Sequence, residues 1–217
     1  MIPQHQDLIA LNNMAVQQLE EGDFKGANRL LSVALRLIMT PYGDNEKASR
    51  AIQFSWSKGA PIPRKLDEED EHFGTFIYSR GVLLKDCKPN TDPTGEEKSA
   101  ILYNAALVAH LLAMQTSESL LLRRAQALYI HSRRAAGAKS TLYSKHFFHV
   151  AILNNLGQIS YELADHELSK AYFLGLKATL HFLMRKEDGK PVLYSRSDLL
   201  RMLSNFIMES PITAPCA

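Results

Sequence analysis

Three segments of this 217-residue chain place an asparagine at the same point of an apolar pattern. Around Asn13, Asn104 and Asn155 the apolar residues recur every three to four positions, and each segment leads into a second stretch of the same kind. This is the pattern of an αα-hairpin. From the asparagine to the second small residue there are 21 positions in the first copy and 23 in the other two, at Ala34, Ala127 and Ala178. The chain is therefore predicted to be an array of similar hairpins.

The repeats divide the chain into segments. We predict helical hairpins over residues 5–39, 97–136 and 141–184, and a C-terminal helix over residues 197–210 that covers the open end of the array. Residues 40–96 form an irregular insertion between the first two hairpins, punctuated by proline and glycine. Together, residues 1–217 are expected to form one all-α domain.

Local signals refine this plan at the first hairpin and in the insertion. Gly22 is expected to end the first helix in the left-handed conformation, and Asp23 to cap the second. In the insertion, residues 73–84 are rich in aromatic and β-branched side chains, which favours an extended segment or a small hairpin. We expect part of the 40–96 insertion to pack back on the helices, through Trp56, Phe76 and Tyr78.

Small residues in the hairpins are interpreted as helix-packing positions. They are Ala105, Ala106, Gly157, Ala171 and Ala178. In the third hairpin, Gly157 and Ala178 are expected to mark the closest approach of the two helices, so that Ala178→Leu would overpack the hairpin.

The first hairpin resembles a tetratricopeptide repeat. The resemblance rests on Asn13-Met14-Ala15, Gly22-Asp23-Phe24, Ala27, Leu31 and Ala34-Leu35, and it covers about 30 residues of a repeat that is typically 34 residues long. In the later copies Thr116-Ser117 and Ala164-Asp165 replace the Gly-Asp pair. The chain is also loosely similar to uncharacterised algal proteins that combine such hairpins with a strand-like insertion. The resemblance implies a right-handed superhelix of about three hairpins, acting as a non-enzymatic adaptor for proteins or peptides.

The asparagines are the candidate peptide-binding residues. In tetratricopeptide proteins an asparagine at this place often faces the concave groove, where its amide supplies a donor and an acceptor to the backbone of a ligand. The alternative is that Asn13, Asn104 and Asn155 serve helix ends or neighbouring turns. Replacing Asn104 and Asn155 by alanine is expected to weaken peptide binding and to leave stability nearly unchanged if both side chains are exposed.

One class of ligand is not expected in this groove. Clamps for chaperone C-terminal tails carry lysine or arginine beside the asparagine, which hold the terminal carboxylate. Four residues before each asparagine this chain has an apolar residue instead: Ile9, Ala100 and Ala151. We therefore expect a segment that is extended or helical and mainly uncharged at its end.

The most basic stretch of the chain supplies the alternative function. Arg123 and Arg134 are eleven residues apart, close to three helical turns, so they project from one face and can bind phosphate or acidic side chains. The preferred interpretation is a solvated helix face that pairs with the acidic loop at residues 67–71. The alternative is a nucleic-acid or phosphate-binding protein whose anion-binding residues are Arg123, Arg124, Arg133, Arg134 and Lys139.

No catalytic or metal-binding pattern is complete. Glycine-rich phosphate loops, His-Glu-X-X-His, Gly-X-Ser-X-Gly and Cys-X-X-Cys are absent from the sequence, so neither an enzyme nor a cofactor is predicted. His146 and His149 lie one helical turn apart and can share a face with His110 or His166. Because no cysteine or carboxylate completes a ligand spacing, no metal site is predicted.

Composition and charge describe an ordinary globular protein. The chain is 46% hydrophobic and 22% charged, and its formal net charge of +2 gives no support for general polyanion binding. Cys87 and Cys216 are interpreted as free thiols in a reducing compartment. The sequence shows no secretory signal and no run of about 18 apolar residues that would span a membrane. We therefore expect no membrane partner and residence in the cytoplasm, with the nucleus as the alternative.

Overall fold

The protein is mostly helical. A computed structural model describes residues 3–39, 52–60, 77–86, 96–136 and 142–185, together with residues 201, 202 and 205. Within these residues lie six helices and two short strands, so the predicted helical class is confirmed and a small sheet is added to it. The elements are α1 (Pro3–Glu20), α2 (Phe24–Met39), β1 (Ile52–Trp56), β2 (Val82–Asp86), α3 (Glu96–Thr116), α4 (Ser119–Ala135), α5 (Leu142–Glu162) and α6 (His166–Arg185).

The chain divides into two compact units. The first combines Met1–Leu66 with Ser79–Lys145 and holds α1 to α4 and the two strands. The second combines Asp67–Tyr78 with His146–Ala217 and holds most of α5 together with α6. Within the first unit, α2 packs against α1 and α3, α4 packs against α3, and β2 contacts α1 and α3.

The turn of the first hairpin is a Schellman motif. Gly22 has a φ angle of 83°, and its N–H donates to the carbonyl of Leu19 while the N–H of Asp23 donates to that of Gln18. The Asp23 carboxylate then accepts a hydrogen bond of 2.9 Å from the N–H of Gly26, in the first turn of α2. The predicted roles of Gly22 and Asp23 are thus confirmed.

The third hairpin contains the same turn, 142 residues later. The N–H groups of Ala164 and Asp165 donate to the carbonyls of Tyr161 and Ser160, and the Asp165 carboxylate accepts from Leu168 N–H at 3.2 Å. Ala164 stands where the first hairpin has Gly22, and its φ angle is 58°. A residue with a Cβ is therefore held in the left-handed conformation that glycine adopts without strain.

We expect Ala164→Gly to stabilise the protein by about 0.5 to 1 kcal/mol, because relief of the left-handed strain exceeds the added entropy of the unfolded chain. Urea denaturation of the two proteins measures the difference. The matched control is Ala136→Gly, since Ala136 caps α4 with a φ angle of −60° that suits alanine. Glycine there should be neutral or destabilising. Equal effects of both substitutions would contradict the strain at Ala164.

The register predicted for α6 is wrong by two residues. The shared turn makes Leu176, not Ala178, the counterpart of Ala34, and both of these residues are buried whereas Ala178 is exposed. The close contact of Gly157 is with Phe173, because a Cβ on Gly157 would lie 2.7 Å from that ring. Ala178→Leu is therefore no longer expected to overpack the hairpin.

The second hairpin places its asparagine farther from the buried alanine of its second helix than the first hairpin does. Leu120 and Ala127, which the sequence pattern aligns with the first hairpin, are both exposed, and Leu120 retains 76% of its accessible surface. The face of α4 that is buried consists of Leu122, Ala125, Tyr129 and Ser132. From Asn104 to Ala125 there are 21 positions, against 14 from Asn13 to Ala27, and the seven extra residues correspond to about two helical turns.

The strands form an antiparallel pair from two distant parts of the insertion. Trp56 lies opposite Val82, and Ile52 lies opposite Asp86. Extended structure was predicted for residues 73–84, and β2 confirms it for the end of that range, but its partner is a segment outside it. Trp56 packs edge to face on Tyr103 at 5.7 Å, and Tyr78 is 2% exposed. The predicted packing is confirmed for these two residues, and Phe76 lies outside the described residues.

Helix α3 forms much of the core of the first unit. Residues Glu97–Thr116 have a mean hydropathy of 1.2 and are long enough to cross a membrane, but 83% of the most apolar window is buried inside the protein. A helix that has apolar surroundings on all sides is itself apolar on all faces, whether it lies in a protein core or in a membrane. Of the predicted C-terminal helix, the structure describes only Arg201, Met202 and Asn205, all of them helical.

Candidate main-chain-binding site

The edge of β2 that faces away from β1 carries polar groups that need partners. Ser57 N–H donates to the carbonyl of Gly81 at 2.9 Å and Gly81 N–H donates to the Ser57 hydroxyl at 2.9 Å, so these two residues occupy a hydrogen-bonded position of the ladder. In an antiparallel ladder such pairs alternate with pairs whose N–H and C=O point outward. The outward groups therefore belong to Val82 and Leu84, whose side chains are 1% and 2% exposed. Buried main-chain groups of this kind cost free energy unless they are hydrogen-bonded.

Asn104 of α3 satisfies Val82. Its Oδ1 accepts from Val82 N–H and its Nδ2 donates to the Val82 carbonyl, both at 2.8 Å. The second hydrogen of Nδ2 goes to Oδ1 of Asn12, again at 2.8 Å. Asn12, which is fully buried, donates in turn to the same Val82 carbonyl at 2.9 Å. Every polar atom of the Asn104 side chain is thus engaged, at 1% exposure.

Asn13 of α1 forms the same pair of hydrogen bonds with the main chain of Leu84. Its Nδ2 donates to the Leu84 carbonyl at 2.8 Å, and its Oδ1 accepts from Leu84 N–H at 2.9 Å. We call each asparagine with its two main-chain bonds a clamp. Asn12 links the clamps of Asn104 and Asn13, because its Nδ2 also donates to Oδ1 of Asn13 at 3.1 Å. The two amides stand where the peptide groups of a third strand would stand, so two helices complete the ladder of β2.

The second unit repeats this arrangement. Asn155 of α5 accepts from Tyr78 N–H at 2.9 Å and donates to the Tyr78 carbonyl at 3.0 Å. Asn154 donates to Oδ1 of Asn155, as Asn12 does to Asn13, and it accepts from Asn205 at 2.8 Å. Asn205 of the C-terminal segment thus has the same bond to Asn154 that Asn104 has to Asn12.

All three predicted groove asparagines therefore bind main-chain groups within residues 77–86, which we call the resident segment: Asn13 and Asn104 do so in the first unit, and Asn155 does so in the second. They serve neither helix ends nor local turns. Asn155 is fully buried and Asn104 is nearly so. Stability was expected to stay nearly unchanged on their replacement by alanine only if both side chains were exposed, and they are not. Asn12, Asn154 and Asn205 were not among the predicted site residues. The doublets Asn12-Asn13 and Asn154-Asn155 were the signal that could have revealed the first two.

The resident segment also approaches α1 closely. A Cβ on Gly81 would lie 3.0 and 3.1 Å from the two Cγ atoms of Val16, so only glycine fits there without a shift of the helix side chains. The hydroxyl of Tyr103 donates to the carbonyl of Arg80 at 3.3 Å. At the end of α1, Glu20 accepts a hydrogen bond from the N–H of Lys58, just beyond β1.

This arrangement recognises main chain rather than side chains. Each amide offers one donor and one acceptor to a single residue, and none of the bonded groups is charged. A segment held in this way must be extended and must have free N–H groups at the bonded positions, which excludes proline there. It must also have a glycine at the position of Gly81, where the main chain approaches α1, or must not contact α1 there.

The arginines predicted as the alternative site lie on the outside of α4. Arg123, Arg124, Arg133 and Arg134 are all exposed, and none of them pairs with a carboxylate among the described residues. The nearest acidic residue in sequence is Glu118, which precedes the helix. Lys139 and the acidic loop at residues 67–71 lie outside the described residues.

The histidines do not assemble into a metal site within the described parts of the chain, where no three potential ligands come together. His110 is fully buried in α3, next to the ring of Tyr129 at 6.4 Å, and neither of its ring nitrogens has a hydrogen-bond partner. Burial lowers the pKa of His110 from 6.5 to about 3. The side chain is therefore neutral at physiological pH.

Comparison with known proteins adds no relative: no family model, no curated protein and no solved structure matches this chain.

Proposed function

We propose that this protein is a non-enzymatic interaction module with a divergent, tetratricopeptide-like architecture, whose asparagines bind the main chain of an extended segment. The observation that supports the proposal is the pairing of Asn13, Asn104 and Asn155 with both polar main-chain groups of one residue each. In the structure the resident segment is bound by the asparagines within each unit. It is the intramolecular ligand, and the segment of a partner protein takes its place.

The resident segment gives the chemistry of that partner. Its bonded residues are apolar or aromatic and uncharged, namely Tyr78, Val82 and Leu84, and it has a glycine immediately before Val82. A partner with the same features can form the same hydrogen bonds once the resident segment has been released. Its apparent affinity equals its intrinsic affinity multiplied by the fraction of molecules in which the segment is released.

Native-state hydrogen exchange tests whether the site becomes available. We expect the amide hydrogens of Val82 and Leu84 to exchange through a local opening that costs less free energy than global unfolding. The matched controls are the amides of Leu107 and Val108 in the middle of α3, which are fully buried and should exchange only on global unfolding. If the amides of β2 and α3 exchange with the same free energy, the resident segment is a fixed part of the core and the proposal fails.

Peptide binding tests the same site from outside. A fluorescent peptide with the sequence of residues 77–86 should bind the full chain, measured by fluorescence anisotropy. The control peptide carries N-methyl groups at the residues that correspond to Val82 and Leu84, which removes the two N–H donors to the asparagines. We expect the control to bind at least tenfold more weakly. Equal binding of the two peptides would show that the asparagines do not recognise the partner.

A further inference from the structure

Helix α4 carries a concentration of positive charge. Its 17 residues include four arginines and no aspartate or glutamate, although the chain as a whole has a net charge of only +2. All four guanidinium groups are exposed and without an ion pair among the described residues. An exposed helix that is stabilised by its own charges usually alternates acidic and basic residues, and α4 does not.

The arginines are arranged along the outward face of the helix. Arg123 and Arg134 are eleven residues apart and lie on one line, while Arg124 and Arg133 flank that line on either side. The buried side chains of α4, among them Ala125 and Ser132, lie on the opposite face. Each pair of arginines is ten residues from the other, which is about 15 Å along the helix axis. The helix therefore has one pair of arginines near each end of its outer surface.

We propose that this face of α4 binds the phosphate backbone of double-helical nucleic acid. Arginine presents a planar fork of donors that matches the oxygens of a phosphate group. A separation of about 15 Å is of the same order as the width of the DNA major groove, about 12 Å, so the two pairs can reach phosphates on its two sides.

The residues between the arginines favour nucleic acid over an acidic protein. The outward positions there are Ala127, Ile130 and His131, of which Ala127 and His131 are exposed and Ile130 is half-buried. Protein interfaces depend on large apolar or aromatic anchors in their centre, and this face has no exposed one between the arginines. It also lacks an exposed aromatic residue on which an unpaired base would stack, which favours a duplex over a single strand.

Binding of a fluorescein-labelled DNA duplex to the full chain, followed by anisotropy, tests the proposal. We expect log K to fall linearly with log salt concentration between about 50 and 200 mM, by about 0.9 for every phosphate contacted. The variant R123Q/R124Q/R133Q/R134Q should bind at least tenfold more weakly at the lowest salt, with a slope reduced by up to about 3.6. Should the fourfold variant fail to fold, R123Q/R134Q should reduce the slope by about 1.8.

The matched control removes the same charge elsewhere. Lys25 and Arg29 of α2 and Lys170 and Lys177 of α6 are exposed, and K25Q/R29Q/K170Q/K177Q should keep duplex affinity within about threefold of the parent, since exposed substitutions away from the contact have small effects. Three results would overturn the proposal: absence of duplex binding at low salt, equal losses in both fourfold variants, or equally effective competition by polyglutamate, which would identify an acidic protein as the ligand.

Discussion

Replacement of Asn104 by alanine is expected to lower the free energy of unfolding by roughly 2 to 6 kcal/mol, because it leaves two buried polar groups without partners at about 1 to 3 kcal/mol each. The groups are the N–H of Val82 and Oδ1 of Asn12, which Asn104 alone satisfies in the hydrogen bonds described above. Chemical denaturation of the full chain, monitored by circular dichroism, measures the loss.

Two other asparagines calibrate this result. Asn13→Ala should cost less, because the Leu84 clamp is only partly buried and water can replace some of its bonds. Asn28→Ala, at a half-buried position of α2, should change stability by no more than about 0.5 kcal/mol. An effect of Asn104→Ala as small as that of Asn28→Ala would mean that the bonds to Val82 do not hold the resident segment.

Acid is expected to destabilise the protein through His110. The folded-state pKa of about 3 lies below the ordinary value of 6.5, so between these two pH values the unfolded state binds more protons than the folded state. Stability from this residue is therefore fully present above pH 6.5 and is lost as the pH falls towards 3. The loss approaches about 1.36 kcal/mol for each pH unit and amounts to about 2.3 kcal/mol between pH 6.5 and 4.5.

His110→Leu should remove this dependence. It should also raise stability at neutral pH by about 1 to 3 kcal/mol, because two buried nitrogens without partners are replaced by apolar atoms. Urea denaturation at a series of pH values gives both quantities. His131→Leu, at an exposed position of α4, is the matched control and should retain the parental slope. Parallel pH profiles for the parent and His110→Leu would contradict the assignment.

The helices were predictable from the sequence because their signals are local. Gly22 and Asp23 mark a turn through backbone conformation and capping, which depend on a few adjacent residues. The register of α6 was not predictable from small residues alone. Alanine occurs both on packed and on exposed helix faces, so the residue type alone does not show which face it is on. Ala171 and Ala178 are exposed. What places them outside is the turn at Ala164, where alanine adopts the conformation expected of glycine.

The candidate site was predictable only in part. The equivalence of Asn13, Asn104 and Asn155 was visible, as was the ability of an amide to bind main chain. The sequence carries no local signal that their ligand is residues 77–86 of the same chain, because pairing between distant segments depends on how the helices pack. The partner of β2 was missed for the same reason, since Ile52–Trp56 precedes it by more than 20 residues.

The hydrogen bonds from the asparagines to the resident segment have a consequence for the order in which the chain can fold during its synthesis. Asn13 and Leu84 are 71 residues apart, and Tyr78 and Asn155 are 77 residues apart. Helical hairpins close over short distances and form quickly, whereas contacts between distant residues form late. At a translation rate of about 5 to 20 residues per second, Asn13 emerges from the ribosome about 4 to 14 seconds before Leu84 emerges. Throughout that interval Asn12 and Asn13 have no strand to bind, so any hairpin that α1 and α2 form is without the hydrogen bonds that later hold β2.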